Sequence, residues 1–273
     1  MMKRFRISPA AMIVGLWQHR GLVRQMIYRE VMGRYRGSLF GIVWSLFNPV
    51  LMLAIYTFVF SVVFKARWHA GSDSKTEFAI VLFAGMIVFG IFSECVNRAP
   101  GLVLSNPNYV KKVVFPLEIL PWVVLGSALF HAAVSLAVLL VFSLVVNHAI
   151  PWTIVCLPLV LLPLLFLALG LAWFLSAFGV YLRDVGQTIG LLTTVLMFLS
   201  PVFYPVEALP ETIRPYVGLN PLAFIIESAR DVMIWGRMPD ATAYGLHLAI
   251  ALVVAGLGFA WFQATRKGFA DVL

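Results

Sequence analysis

The sequence predicts an all-α membrane protein: six transmembrane helices, an N-terminal amphipathic interface helix, and re-entrant outer helices between helices five and six. Three observations predict it. Hydrophobic residues make up 62% of the chain and charged residues 12%, about half the charged share of a soluble domain. Apolar stretches of roughly 20 residues, the length that crosses a bilayer core, recur six times. The Lys and Arg residues, 20 in all, crowd the segments on one side of those stretches. A chain of this length would bury a core in water but would not cover so much apolar surface there. The net charge of +8 therefore matters through its distribution and gives no sign of nucleic-acid binding.

The first element is Ser8–Gly37. Leu22, Val23, Met26, Ile27 and Val31 fall on one side of a helix, and Arg24, Gln25, Arg29 and Arg36 on the other. Glu30 and Arg34 intrude on the apolar side at a spacing that lets them pair. The pattern predicts an amphipathic helix on the cytoplasmic membrane surface; an ordinary basic tail is the plainer alternative. The spans follow at Leu39–Phe64, Phe78–Val96, Leu117–Val146, Trp152–Tyr181, Val185–Phe203 and Tyr244–Ala264. No apolar stretch with a cleavage site follows the basic start, so the first span is expected to act as an uncleaved insertion signal. With the N-terminus inside, only Lys65, Arg67, Lys75, Arg214, Arg230 and Arg237 lie outside, and both termini are expected in the cytoplasm. Cys95 and Cys156 then sit near opposite faces, so no disulfide is expected. Residues 1–273 read as one domain without internal repeats.

Two loops carry information. The cytoplasmic loop Asn97–Pro116 contains Asn106, Pro107, Asn108, Tyr109, Lys111, Lys112, Phe115 and Pro116. Its prolines bracket room for one or two helical turns that project and dock. The outer loop Tyr204–Ala243 is broken by prolines yet apolar. Asn220-Pro221 is a helix start and Gly236 a stop. Segment 201–236 reads as two short re-entrant helices and a candidate gate, with Pro201, Pro205, Asn220 and Pro221 at its breaks. Irregular backbone at membrane depth needs protein cover or a cavity; a folded outer cap is the alternative.

Several chemistries are missing. The sequence holds no Gly-rich phosphate loop, no Cys/His cluster with zinc spacing and no paired carboxylates in one segment. No catalytic residue and no metal ligand is expected. Glu94 and His131 are ionisable within apolar stretches, which marks function by default. The plainer readings are an interfacial Glu94 beside Arg98 and a neutral, hydrogen-bonded His131. Ala168, Ala172 and Ser176, and Gly256, Ala260 and Ala264, permit close helix contact. Among many aromatics, Phe47, Tyr56, Phe60, Phe198, Phe203 and Tyr204 are candidates to line a sugar-conducting pore.

The order of motifs is similar to that of a known family. Arg34-Tyr35-Arg36-Gly37-Ser38-Leu39-Phe40-Gly41 is followed by Trp44 and Asn48-Pro49. Asn108-Tyr109-Val110-Lys111-Lys112-Val113-Val114-Phe115-Pro116-Leu117-Glu118 comes next. Tyr181-Leu182-Arg183-Asp184, Ser200-Pro201-Val202-Phe203-Tyr204-Pro205 and Leu219-Asn220-Pro221-Leu222 complete the set. Across nearly the whole chain this resembles the permease subunits of ABC-2-type polysaccharide exporters, the Wzm, KpsM and TagG group. The resemblance implies a homodimeric channel in the bacterial inner membrane, among membrane lipids. Two copies of a separate ATPase of the Wzt or KpsT type would bind beneath it and hold ATP and Mg. It implies a lipid-linked polysaccharide as cargo, O antigen first, with capsule or teichoic acid as alternatives. It makes Asn106–Pro116 a coupling helix and Ser8–Gly37 an interface helix, with Arg29, Arg34 and Arg36 placed to attract a phosphate headgroup. A drug, haem or lipid permease of the same fold is one rival reading. A membrane enzyme acting on lipid-linked sugars is another.

Overall fold

The computed structural model describes residues 9–64, 68, 76–111 and 115–272, and among them every regular element is helical. The chain starts with α1 (Pro9–Gln18) and α2 (Arg20–Arg34). The sequence anticipates one continuous helix here, but the backbone leaves helical geometry at His19. The two halves have different partners: α1 lies against α12 and the turn at Leu117–Ile119, whereas α2 lies along α6. A straight helix would not reach both. Gly37 and Gly41 then take positive φ, +86° and +51°, a backbone that side chains with a Cβ resist. They fold the chain back into α3, and the Ser38 hydroxyl accepts the Gly41 N–H at 3.0 Å.

The remaining elements follow in order. They are α3 (Trp44–Tyr56), α4 (Glu77–Arg98), α5 (Pro107–Lys111), α6 (Leu120–Asn147), α7 (Leu157–Val160), α8 (Leu162–Tyr181), α9 (Val185–Leu199), α10 (Arg214–Gly218), α11 (Pro221–Arg230), α12 (Ala241–Thr265) and α13 (Phe269–Val272). A wide, π-helical stretch, Thr57–Val63, extends α3, and another, Asp231–Trp235, extends α11. Five apolar helical stretches are long enough to cross a membrane: Gly41–Val63, Glu77–Gly101, Leu117–Asn147, Trp152–Tyr181 and Ala241–Val272. The protein is a multi-pass all-α membrane protein. The sixth stretch, α9, has 15 residues and is roughly 22 Å long, short of a ~30 Å hydrocarbon core. It stops four residues before the expected Phe203 because Pro201 supplies no N–H and disfavours helix at Ser200.

Helix α4 is the axle of the bundle. Residues on all its sides are buried, and α3, α6, α8, α9 and α11 pack around it. Beside it, α8 and α12 come into very close contact. A methyl group on Gly258 would overlap the Gly170 carbonyl, and one on Gly170 would meet the Ala255 backbone. This corrects the register expected for α12. Ala251, Ala255 and Gly258 are buried in the contact, while Gly256, Ala260 and Ala264 are not. On α8, the expected Ala168, Ala172 and Ser176 are buried. Both cysteines are free thiols.

Caps behave as their residue types dictate. The Asn220 side chain accepts the Leu222 N–H at 3.0 Å and donates to the Ser200 hydroxyl at 2.8 Å. One residue thus starts α11 and ties it to the end of α9. Gly236 ends the helical stretch with φ +68°. The Asp240 carboxylate caps α12 through the Ala243 N–H at 2.7 Å.

Candidate functional site: a cleft with a charged rim

Helix α2 brings a charged rim to the far end of α4. Arg34 pairs with Glu94, Glu30 pairs with Arg98, and Arg98 also reaches Glu94 at 3.3 Å. The expected Glu30–Arg34 pair does not form, because α4 offers each of them a partner of opposite charge. Glu94 does lie beside Arg98, as its position at the end of an apolar run suggests. These groups are half in water: Arg34 is 41% exposed and Glu94 18%. Tyr35 continues the rim inward with a 3.3 Å hydrogen bond between its hydroxyl and His131 Nδ1. Burial pushes the Tyr35 phenol above its usual range, with the Arg34 charge opposing.

Behind the rim lies a cleft of 570 Å³ between α3, α4 and α6. Small residues make the room. Ala128, Ala132 and Ser135 of α6 line it, and Gly90 of α4 presents open space where a Cβ would stand. Trp44, Asn48, Met52 and Tyr56 form a stripe along α3, spaced four residues apart on the same wall. Phe83 closes the far end, with its ring 6.5 Å from that of Tyr56.

The three candidate headgroup arginines separate. Arg34 enters the rim pair. Arg29 donates to the Tyr109 hydroxyl at 2.7 Å, so it joins α2 to the loop helix α5. Arg36 is exposed, and its side chain makes no hydrogen bond or ion pair among the described residues.

The loop expected to hold one or two helical turns contains α5, Pro107–Lys111. Asn106 precedes it and anchors to the Leu102 carbonyl at 2.9 Å. Pro107, Asn108 and Lys111 are exposed, and Lys112 lies outside the described residues. Tyr109 stacks on Phe115 with ring centres 4.1 Å apart and planes 9° apart. Arg266, just after α12, grips the return strand of this loop. It donates to the Phe115 carbonyl at 2.7 Å and pairs with Glu118 at 2.5 Å. The last of the loop residues, Pro116, leads directly into that turn.

At the opposite end of α4 one of the candidate gate residues, Pro201, meets Arg230. Its guanidinium donates to the carbonyls of Val81 (3.0 Å), Pro201 (2.6 Å) and Val202 (2.9 Å), and to Glu227 (2.6 Å). The Trp68 ring covers it at 4.5 Å. Gly85 provides the space, since a Cβ there would lie 2.5 Å from Nη2. Pro205 leads into a short turn at Val206–Ala208, and Asn220-Pro221 opens α11. The sequence reading counted Arg230 only as an outer charge. The signal was available: a cation among Leu222, Ile225, Ile226, Val232 and Met233, all buried.

The six candidate pore aromatics fall into two groups. On α3, Phe47 is exposed against Trp44, Tyr56 lines the cleft, and Phe60 stacks on Phe78 at 5.0 Å. At the end of α9, Phe198 stacks on Phe203 at 5.4 Å, and the Tyr204 hydroxyl donates to the Phe198 carbonyl at 3.1 Å. The two groups flank α4 from different sides, since α3 packs on α4 and α6 while α9 packs on α4 and α8.

A helical bundle around a buried axle, with five apolar helical stretches long enough to cross a bilayer, defines a multi-pass membrane protein. The chain belongs to the ABC-2 type transporter family, which it matches over residues 21–234. It is 29% identical to the O-antigen export system permease protein RfbA of Myxococcus xanthus over 258 residues, 94% of this chain and 96% of that one. It is 24% identical to RfbA of Klebsiella pneumoniae over 248 residues, covering 90% and 92% of the two chains. With the polysialic acid transport protein KpsM of Escherichia coli it shares 22% identity over 248 residues, 90% and 93% of the two.

Proposed function

We propose that this chain is the membrane-spanning permease subunit of an ATP-driven exporter of lipid-linked polysaccharide, O antigen before capsule. The observation that carries the reading is end-to-end similarity to permeases named for those exports, 96% of the Myxococcus chain included. Similarity to permease subunits of ABC transporters supports separate ATPase chains that supply the hydrolysis and hold ATP and Mg. Two permeases and two ATPases make the working unit in the inner membrane, with both permease termini in the cytoplasm. α9 and the Ser200–Tyr204 turn together complete a sixth crossing, and 201–236 dips back as the outer gate.

Roles for the α2 arginines follow from their partners. Arg36, with its free guanidinium, attracts the phosphate of the lipid carrier. Arg29 holds the docking loop through Tyr109, and Arg34 guards the cleft. The test is polysaccharide at the cell surface in a strain lacking this chain, restored by the intact gene. Arg36→Ala is expected to cut surface polysaccharide severalfold while the permease–ATPase complex still purifies. Normal surface polysaccharide in the strain lacking this chain would end the exporter reading.

A further inference from the structure

We infer that Arg266 is a positioning residue for the docking loop: from the segment after α12 it holds α5 in the pose that meets the ATPase. This rests on the exporter reading above, in which Asn106–Pro116 docks there. α5 has five residues, too few for a helix to hold itself, so the loop depends on outside anchors. Asn106 fixes its start. Arg266 fixes its return with both arms of the guanidinium. Nη2 donates to the Phe115 carbonyl at 2.7 Å and Nη1 to Glu118 at 2.5 Å. The Phe115 ring lies flat on Tyr109 of α5, so the guanidinium is one residue removed from the docking helix. Glu118 is a firm post. Its carbonyl accepts the indole N–H of Trp173 at 3.0 Å, and Trp173 is wholly buried in α8. A pair with Glu118 alone would only brace α12 against this turn. The second donation, to a loop carbonyl, is what brings α5 under its control.

The backbone around Arg266 is itself locked. The Tyr181 hydroxyl, at the end of α8, donates to the Thr265 carbonyl at 3.2 Å. Phe269 is wholly buried. It packs edge-on against Phe262 with ring centres 5.5 Å apart, and its ring lies 6.3 Å from that of Tyr181. A Cβ on Gly268 would stand 2.5 Å from the Tyr181 hydroxyl oxygen. α13 lies against both α8 and α5. The turn therefore has little freedom, and its arginine is aimed at the loop. A planar fork spans two acceptors at fixed angles, whereas a lysine ammonium keeps the charge and loses that geometry. A displacement of α5 then has two outlets: α2 through Arg29 and Tyr109, and α12 through Phe115 and Arg266.

The experiment uses the whole permease–ATPase complex in native membranes. A cysteine replaces Asn108, which is exposed on α5, and is crosslinked to the ATPase; surface polysaccharide is measured per assembled complex. Arg266→Gln is expected to lower both the crosslink and the export severalfold while the two chains still purify together. Arg266→Lys should recover part of each. Glu118→Gln should lose least, because the bond to the Phe115 carbonyl remains. A role in stability alone predicts fewer complexes, each crosslinking and exporting as the parent does, and that result overturns the proposal. If Arg266→Gln yields no complex, the milder Arg266→Lys is read in its place. Parental crosslinking and export per complex in it overturn the proposal, and failure of both variants to assemble assigns Arg266 to folding and overturns it too. An exporting parent complex with no Asn108→Cys crosslink removes this inference and leaves the exporter reading standing. If the parent complex exports no glycan, the two fall together.

Discussion

Arg34 and Arg230 each pair with a glutamate, at opposite ends of the same helix, and they do different things with it. Arg34 is 41% exposed, and its partner Glu94 is shared with Arg98. Water takes over when such a pair opens, so it is worth little to stability and exchanges partners readily. Arg230 has no exposed surface and spends four hydrogen bonds on three backbone carbonyls and Glu227. Removing it would leave those acceptors buried and unpaired. One end of α4 therefore carries an adjustable rim and the other a fixed clasp. The clasp fastens α11 and the turn after α9 to α4.

The largest effect should come from breaking the clasp. Arg230→Met is expected to lose about 3–5 kcal/mol, seen as a lower melting temperature and a poor folded yield of the purified permease. A variant as stable as the parent would erase the contrast between the two ends. Gly85→Ala attacks the clasp from the other side, since the new methyl would press on Arg230 Nη2. It should cost about 1–3 kcal/mol, as overpacking does. Combined with Arg230→Met it should cost less than the sum, because the first change removes what the second collides with.

Much of the bundle was legible in the sequence because five spans announce themselves by composition and a few ends by a cap. Asn220-Pro221, Gly236 and the Trp152–Tyr181 limits all stand where expected. The site was less legible. Glu30 and Arg34 are spaced to pair with each other, and nothing local says that α4 will supply other partners from 60 and 68 residues away. The Arg29–Tyr109 bond spans a sequence separation of 80 and joins residues read as serving two separate tasks. The break at His19 was also hidden, since it arises from what each half packs against and not from a helix-breaking residue. The cleft depends on what is missing, the side chains that Gly90, Ala128 and Ala132 do not have, and absence at three distant positions makes no motif.

A smaller effect sharpens the rim. Tyr109→Phe keeps the ring stack on Phe115 and removes the hydrogen bond from Arg29, at about 0.5–1.5 kcal/mol. Paired with Arg29→Ala in a double-mutant cycle read by thermal unfolding, the two changes should together cost less than the sum of the singles. Full additivity would show that α2 and the docking loop do not feel each other through this bond.

The smallest change in stability should come from Glu94→Gln, although it deprives two arginines of a partner. Arg98 keeps Glu30, and Arg34 is exposed enough for water to replace the lost carboxylate, so the expected shift is at most about 1 kcal/mol. Its effect on the cleft should be larger than its effect on the fold. Without the carboxylate, Arg34 is released at the mouth and the local charge becomes more positive, so anionic lipid headgroups should gather there. Surface polysaccharide and the melting temperature, measured on the same variant, separate the two roles. Export that falls severalfold with the melting point unchanged identifies the rim as a functional contact. A melting point that drops as far as that of Arg230→Met would mean that Glu94 is a clasp as well.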